Sequence, residues 1–226
     1  MDYGDLFIPW DNEYENSLCQ RDNLMYIFDD KHIIQKFCNK FNIRYNHFFI
    51  ATFALTLYKF SGLKKGILPM VSNGRFFNEI KYTQAYIAKT IYLKFETEKW
   101  NVLNDVFDSI SREMKRIIKT EPNTFNLYYG NQWLFNFLEV GDYDFNLDII
   151  DYNLKTDRPR LIKNIGENIL NDVVLFETSQ SYVVYMIYLN KFYNEETIMK
   201  FLDCWNCIIK HIISKNDLNM SLDFYH

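Results

Sequence analysis

Apolar residues recur along this chain at two different spacings. After Asp29 and Asp30, residues Ile33, Ile34, Phe37, Cys38 and Phe41 fall three and four apart. That period keeps them on one stripe of an α-helix, whose first turn the aspartates can cap. Over 45–60, Phe48, Phe49, Ile50, Phe53, Leu55 and Leu57 point almost all round a helix. A helix without a polar face belongs in the middle of a core, and Gly62 then supplies its stop. Two strands are expected next, at 66–72 and 85–96. In the second, Ile87, Ile91, Leu93 and Phe95 fall on one side and Tyr86, Ala88, Thr90 and Tyr92 on the other, so both faces are expected to be covered.

A third helix is predicted over 101–119, with Leu103, Val106, Phe107, Ile110, Met114 and Ile117 on its stripe and Pro122 just beyond. Strand-like runs follow at 132–138, 147–152, 172–177 and 182–189. The last two flank Thr178-Ser179-Gln180-Ser181 and read as an antiparallel hairpin at one side of the sheet. Ile198, Phe201, Leu202, Trp205, Ile208, Ile209 and Ile212 mark a final helix over 195–214. Residues 1–24 show neither period and are expected to be an irregular lead-in. Helices and strands interleave, which predicts an α/β fold: a two-layer sandwich with one mixed sheet packed by helices, in a single domain over 1–226.

Composition supports a large core. Aromatic residues make up 18% of the 226, with 20 Phe and 17 Tyr, and each ring removes a large area from water. The net charge of −4 comes with no basic stripe, since Lys64-Lys65 and Lys115-Arg116 are short, so no nucleic acid is expected as a partner. The N-terminal MDYGDLF is acidic and opens no apolar run, unlike a secretory signal. The longest apolar run, near 48–58, falls short of the roughly 20 residues that cross a bilayer. No membrane association and a cytoplasmic location are the expectation.

Candidate chemistry is thin. Cys204 and Cys207 form a Cys-x-x-Cys inside a helical pattern, with no second pair, and read with Cys19 and Cys38 as unpaired thiols. No disulfide and no metal are expected. His32, His47, His211 and His226 have no partner at a telling spacing, and Ser72, Ser179 and Ser181 lack the strand–turn–helix setting of an activated serine. Asp142, Asp144, Asp148 and Asp151 are acidic enough for calcium but lack its loop spacing and closing Glu, and read as a solvated loop. These residues alone lead to an α/β domain without a named chemistry.

The order of segments says more. "FNIRYNHFFIATFALTLYKFSGLKKGILPMVSNGR" resembles the condensation domains of nonribosomal peptide synthetases, where a buried helix and a strand lead into a small-residue–Gly-Arg turn. Gly74 and Arg75, after Asn73, fit that turn. "AYIAKTIYLKF" is similar to the family's Gly-x-Phe-Val-Asn-Thr strand, with Thr90 at the final Thr, Ala85 in place of Gly and Lys89 in place of Asn. Val71 stands where Pro is common. "WLFNFLE" is similar to Val-x-Phe-Asn-Tyr, with Phe135 and Asn136 in place, and "VVYMIYLNKFYNEETIMKFLDCW" resembles the closing strand and helix. The resemblance runs from about residue 25 to 214 and is to the C-terminal lobe alone, one of two chloramphenicol-acetyltransferase-like lobes. It puts residues 1–24 near the inter-lobe junction.

The family joins a donor acyl thioester to the amine of an acceptor aminoacyl thioester, both carried on phosphopantetheine arms of carrier proteins, in peptide antibiotic biosynthesis. Its His-His-x-x-x-Asp-Gly motif belongs to the N-terminal lobe and occurs nowhere in this chain. The resemblance therefore implies a lobe inactive by itself, with no directly bound cofactor. An N-terminal lobe and carrier protein domains are its implied partners, and self-association through the exposed lobe interface is a further expectation. Asn73, Gly74, Arg75, Lys89, Thr90 and Asn136 are its implied cleft-lining or structural residues. Gly74 also permits a positive φ, and the Arg75 guanidinium can anchor a loop end. Two other readings stand beside it: a non-catalytic carrier- or partner-docking module, and an oligomeric acyltransferase of the chloramphenicol acetyltransferase type.

Overall fold

A computed structural model describes residues 4–5, 8, 11, 21–62, 64–72, 89–120, 133–138, 171–190 and 192–222. In chain order these form β1 (Gly4–Asp5), β2 (Arg21–Phe28), α1 (Lys31–Phe41), α2 (Tyr45–Ser61), β3 (Lys65–Ser72), β4 (Lys89–Glu96), α3 (Leu103–Thr120), β5 (Trp133–Leu138), β6 (Asn171–Glu177), β7 (Tyr182–Leu189) and α4 (Glu195–Lys215). A 3₁₀ turn, Thr97–Lys99, links β4 towards α3. The architecture is α/β, one mixed sheet packed by helices, as the interleaved periods predict.

The sheet runs β4-β3-β5-β6-β7-β2. β4 follows one edge of β3 along its whole length, from Lys65↔Glu96 to Ser72↔Lys89. On the other edge β1 pairs at Gly66 and Ile67 and β5 at Met70, so these two share that edge end to end. Pro69 lies between the two stretches, where a residue without an N–H costs no ladder bond to them. β3, β5 and β6 are parallel, while β4 and β7 oppose them. β6 and β7 are the expected antiparallel hairpin, closed by the Thr178 N–H donating to the Ser181 carbonyl at 2.9 Å. The hairpin is not the rim of the sheet, because β2 pairs antiparallel along all of β7 beyond it.

Residues 21–24 are thus strand and residues 4–5 a short parallel pairing, which corrects the expected irregular lead-in at those positions. The polar Arg21-Asp22-Asn23 start hides the strand from a periodicity reading, since an edge strand has water on one side and needs few apolar residues. The expected strand at 147–152, and residues 85–88 of the second strand, lie outside the described residues.

The helices end as their sequences direct. Gly62 closes α2 at φ 65, donating its N–H to Tyr58. Asn42 and Asn216 close α1 and α4 at φ 53 and 51, the left-handed region that asparagine tolerates. The start of α1 differs from expectation: Asp30 makes no side-chain cap, and its carbonyl accepts from Ile33 and Ile34 instead.

α2 is the centre of the core. Residues 47–57 are all buried, as an all-round apolar helix requires. Phe53 packs on Phe135 of the sheet at 5.2 Å between ring centroids and on Trp205 of α4 at 5.0 Å. Phe48 stacks on Phe107 of α3. The Trp205 indole N–H donates to Thr52 Oγ1 at 2.9 Å, which satisfies a polar atom inside this aromatic packing. One contiguous apolar cluster joins these side chains from Ile8 to Leu222.

Candidate functional site

Strand register sorts the sheet side chains onto two faces. Met70 stands beside Ile91, Phe135 beside Met70, Val173 beside Phe135, Met186 beside Val173 and Leu24 beside Met186. This row faces the helices, and its first five members are at most 5% exposed. Extending the Met70↔Phe135 register by one residue gives a second row, Thr90, Val71, Asn136, Val174, Tyr185 and Met25, which faces the opposite way. Thr90, Val71 and Asn136 are half-buried there.

Two residues singled out in the sequence, Thr90 and Asn136, are therefore brought onto one row of one face. Val71 lies between them, which puts them about two strand spacings, about 10 Å, apart. Half-open polar side chains beside a flat apolar neighbour can wall a cleft and offer a hydroxyl and an amide to a substrate. They carry no nucleophile or base of their own. The expectation that both faces of β4 are covered is corrected: Ile91, Leu93 and Phe95 are buried, while Thr90 and Tyr92 are half-buried and Lys94 is exposed. Lys89 takes the register position opposite Ser72. Asn73, Gly74 and Arg75 lie outside the described residues, as do Asp142, Asp144, Asp148, Asp151, Cys19 and His226.

A groove of about 630 Å³ lies elsewhere, between β4 and α3. Lys94, Lys99, Arg112 and Arg116 line it with Glu96, Asp105 and Glu113, so opposite charges nearly cancel. Arg116 donates from Nε and a terminal nitrogen to the two Glu113 oxygens at 2.9 and 2.7 Å, and Glu113 also accepts the Lys94 backbone N–H at 3.3 Å. Lys99 pairs with Glu96. Thr90 and Asn136 are not among its walls.

His47 and Cys38 behave as packing residues, while His32 and Cys207 are exposed. His47, 9% exposed, has Ser111 Oγ 3.4 Å from its Nδ1. Burial, assisted by the nearby Arg44 charge, lowers its pKa to about 4, so it is neutral near pH 7. The sequence could not show this contact, which joins residues far apart on α2 and α3. Burial pushes the Cys38 thiol up to about 12 and also raises Cys204, the reverse of what a reactive thiol needs. Cys38, Cys204 and Cys207 are free thiols. Among the described residues no group of three His, Cys, Asp or Glu is placed to hold a metal ion, and no helix is long and apolar enough to cross a membrane.

No family model matches the sequence, and no curated protein matches it. Solved structures do match the fold. The first condensation domain of the calcium-dependent antibiotic synthetase, in complex with a substrate analogue, aligns over 99% of this chain and 49% of its own at a TM-score of 0.66 and 10% identity. The fold is that of one condensation-domain lobe. Holo-AB3403, a four-domain nonribosomal peptide synthetase bound to AMP and glycine, aligns over 96% of this lobe and 19% of its own chain at a TM-score of 0.72 and 9% identity. The X-domain from teicoplanin biosynthesis, solved in complex with OxyB, aligns over the whole lobe and 52% of its own chain at 0.68 and 8% identity. The lobe thus spans about half the length of the single-domain structures it resembles.

Proposed function

We propose that the chain is the C-terminal lobe of a nonribosomal peptide synthetase condensation domain. The observation that carries this lies on the sheet face turned away from the helices: Thr90 and Asn136, picked out by two separate motif resemblances, are both half-buried there in a sheet with the condensation-lobe fold. In this role the acceptor amine attacks the donor thioester carbonyl. The new C–N bond forms as the C–S bond breaks, and the amine proton leaves with the carrier thiol. A base in the N-terminal lobe assists the proton, and two facing lobes hold the thioesters in line. This lobe supplies a cleft wall through Thr90, Val71 and Asn136. The resemblance makes Asn73, Gly74 and Arg75 further cleft-lining or structural residues, and Lys89 adds a positive charge where the family has a neutral amide. Part of a carrier docking surface belongs to the lobe as well, the phosphopantetheine arm entering with its carrier.

Joining the chain to an N-terminal lobe that bears the His-His-x-x-x-Asp-Gly motif, and supplying loaded carriers, is expected to give amide, while the chain alone gives none. No amide from the joined lobes, with both thioesters intact, would sink the assignment.

A second reading is a docking module without turnover. The likeness to the X-domain favours it, because that protein was solved with a partner bound. It predicts micromolar carrier binding by the isolated chain and no product from the joined lobes.

A further inference from the structure

Among the described strands, β2 is outermost in the sheet and pairs on one side only, with β7. Among the described residues, 22–28 make no other backbone hydrogen bond, and Asp22, Asn23, Met25 and Ile27 are exposed. Exposed edges are usually guarded by lysine, proline, a bulge or a covering segment. β2, RDNLMYIF, contains neither Lys nor Pro, and its register with β7 is unbroken from Arg21↔Leu189 to Phe28↔Tyr182. On the face turned away from the helices, Met25 and Ile27 are 42% and 38% exposed, beside Val183, Tyr185 and Ile187 at 4% or less. A strand with open hydrogen-bonding groups and alternate exposed apolar residues matches another such strand.

We propose that β2 pairs antiparallel with β2 of a second copy of this chain, across a two-fold axis at Met25, joining the two sheets into one. Directly opposed residues of an antiparallel pair share a face, so their numbers must sum to an even value. A sum of 50 sets Met25 on Met25, Leu24 on Tyr26, Asn23 on Ile27 and Arg21 on Asp29. Positive charge at the start of the strand then meets negative charge just past its end, twice over by symmetry. The Arg21 guanidinium, already 3.4 Å from Asp172, would serve two carboxylates. A sum of 52 sets Asp22 on Asp30, like charge on like. A parallel pairing sets Arg21 on Arg21.

A single strand pair covers less area than a standard stable interface, so the dimer forms at high concentration and dissociates on dilution. Sedimentation equilibrium on the full chain tests this, from low to high micromolar concentration. The mass should rise from 27.4 kDa towards twice that value. Met25→Lys and Ile27→Lys place the natural guard on the exposed face, and each should hold the chain monomeric with an unchanged melting temperature. Met25→Cys under mild oxidation should give a disulfide-linked dimer that the parent chain does not give. A parent chain that stays monomeric throughout overturns the proposal, and so does a dimer that survives both lysines. A different protein found hydrogen-bonded along β2 also overturns self-pairing. Self-pairing reads out as mass and the condensation role as amide, so either can fail while the other holds.

Discussion

Two neighbouring rows of the same sheet, one residue apart, have opposite characters. The row Ile91, Met70, Phe135, Val173, Met186 is apolar and sealed under α2 and its neighbours. The row Thr90, Val71, Asn136, Val174, Tyr185, Met25 passes from half-open at β4, β3 and β5, through buried at β6 and β7, to exposed at β2. Since side chains alternate across a strand, a single residue of register decides which row a position joins. The sealed row holds the fold together, and the open row leaves polar groups and apolar surface available to something else. At β4, β3 and β5 stability and interaction are thus separated by face, and mutations there can address them one at a time.

The largest effect should come from the sealed side. Phe53→Ala removes a ring packed on Phe135, Phe201 and Trp205, and a fully buried Phe lost to Ala costs about 3–5 kcal/mol. Urea unfolding would show it as a lower midpoint, and a cost under about 1 kcal/mol would mean that α2 is not the centre of the core.

Acid should come next. His47 binds a proton near its ordinary 6.5 in the unfolded chain but only near 4 when folded. Its contribution is therefore full above pH 6.5 and is lost as pH falls towards 4, because the unfolded state takes up the proton first. His47→Gln should flatten the fall of melting temperature across that window. An unaltered slope would place His47 in water.

A smaller loss is expected from Thr52→Val, which keeps the shape but takes away the acceptor of the Trp205 indole N–H. An orphaned buried donor costs about 1–3 kcal/mol. The conservative Thr52→Ser should restore most of it in the same urea titration.

The least effect on stability belongs to the open row. Thr90→Ala and Asn136→Ala should shift unfolding by no more than about 0.5 kcal/mol, as substitutions outside the sealed core do. If the row is a cleft wall, both should nonetheless slow amide formation by the joined lobes. Full stability with full activity would leave the row without a role.

Much of the sealed side was legible in the chain itself. The all-round apolar 45–60 stretch and the stripe from Ile198 to Ile212 depend on spacing within one element, and those elements are where the periods put them. β2 was hidden because its first three residues are polar and an edge strand needs no apolar alternation to be paired. The open row was hidden for another reason. Its members at 71, 90 and 136 meet only through inter-strand register, which no local pattern records. The separate motif resemblances named Thr90 and Asn136 individually, without their place on a common face. The His47–Ser111 contact is of the same kind, made by the packing of two helices.

The most direct test of the cleft-wall assignment is covalent. Single cysteines replace Thr90, Asn136 or, as a remote control, Ser214 on the solvent side of α4, in the chain joined to an N-terminal lobe. Each is treated with a carrier protein whose pantetheine arm ends in a chloroacetyl group, and the cross-linked product is quantified by mass. Strong cross-linking is expected at 90 and 136 above the level of the unsubstituted chain, and none above it at 214. Equal labelling at all three, or labelling at 214 alone, would contradict it.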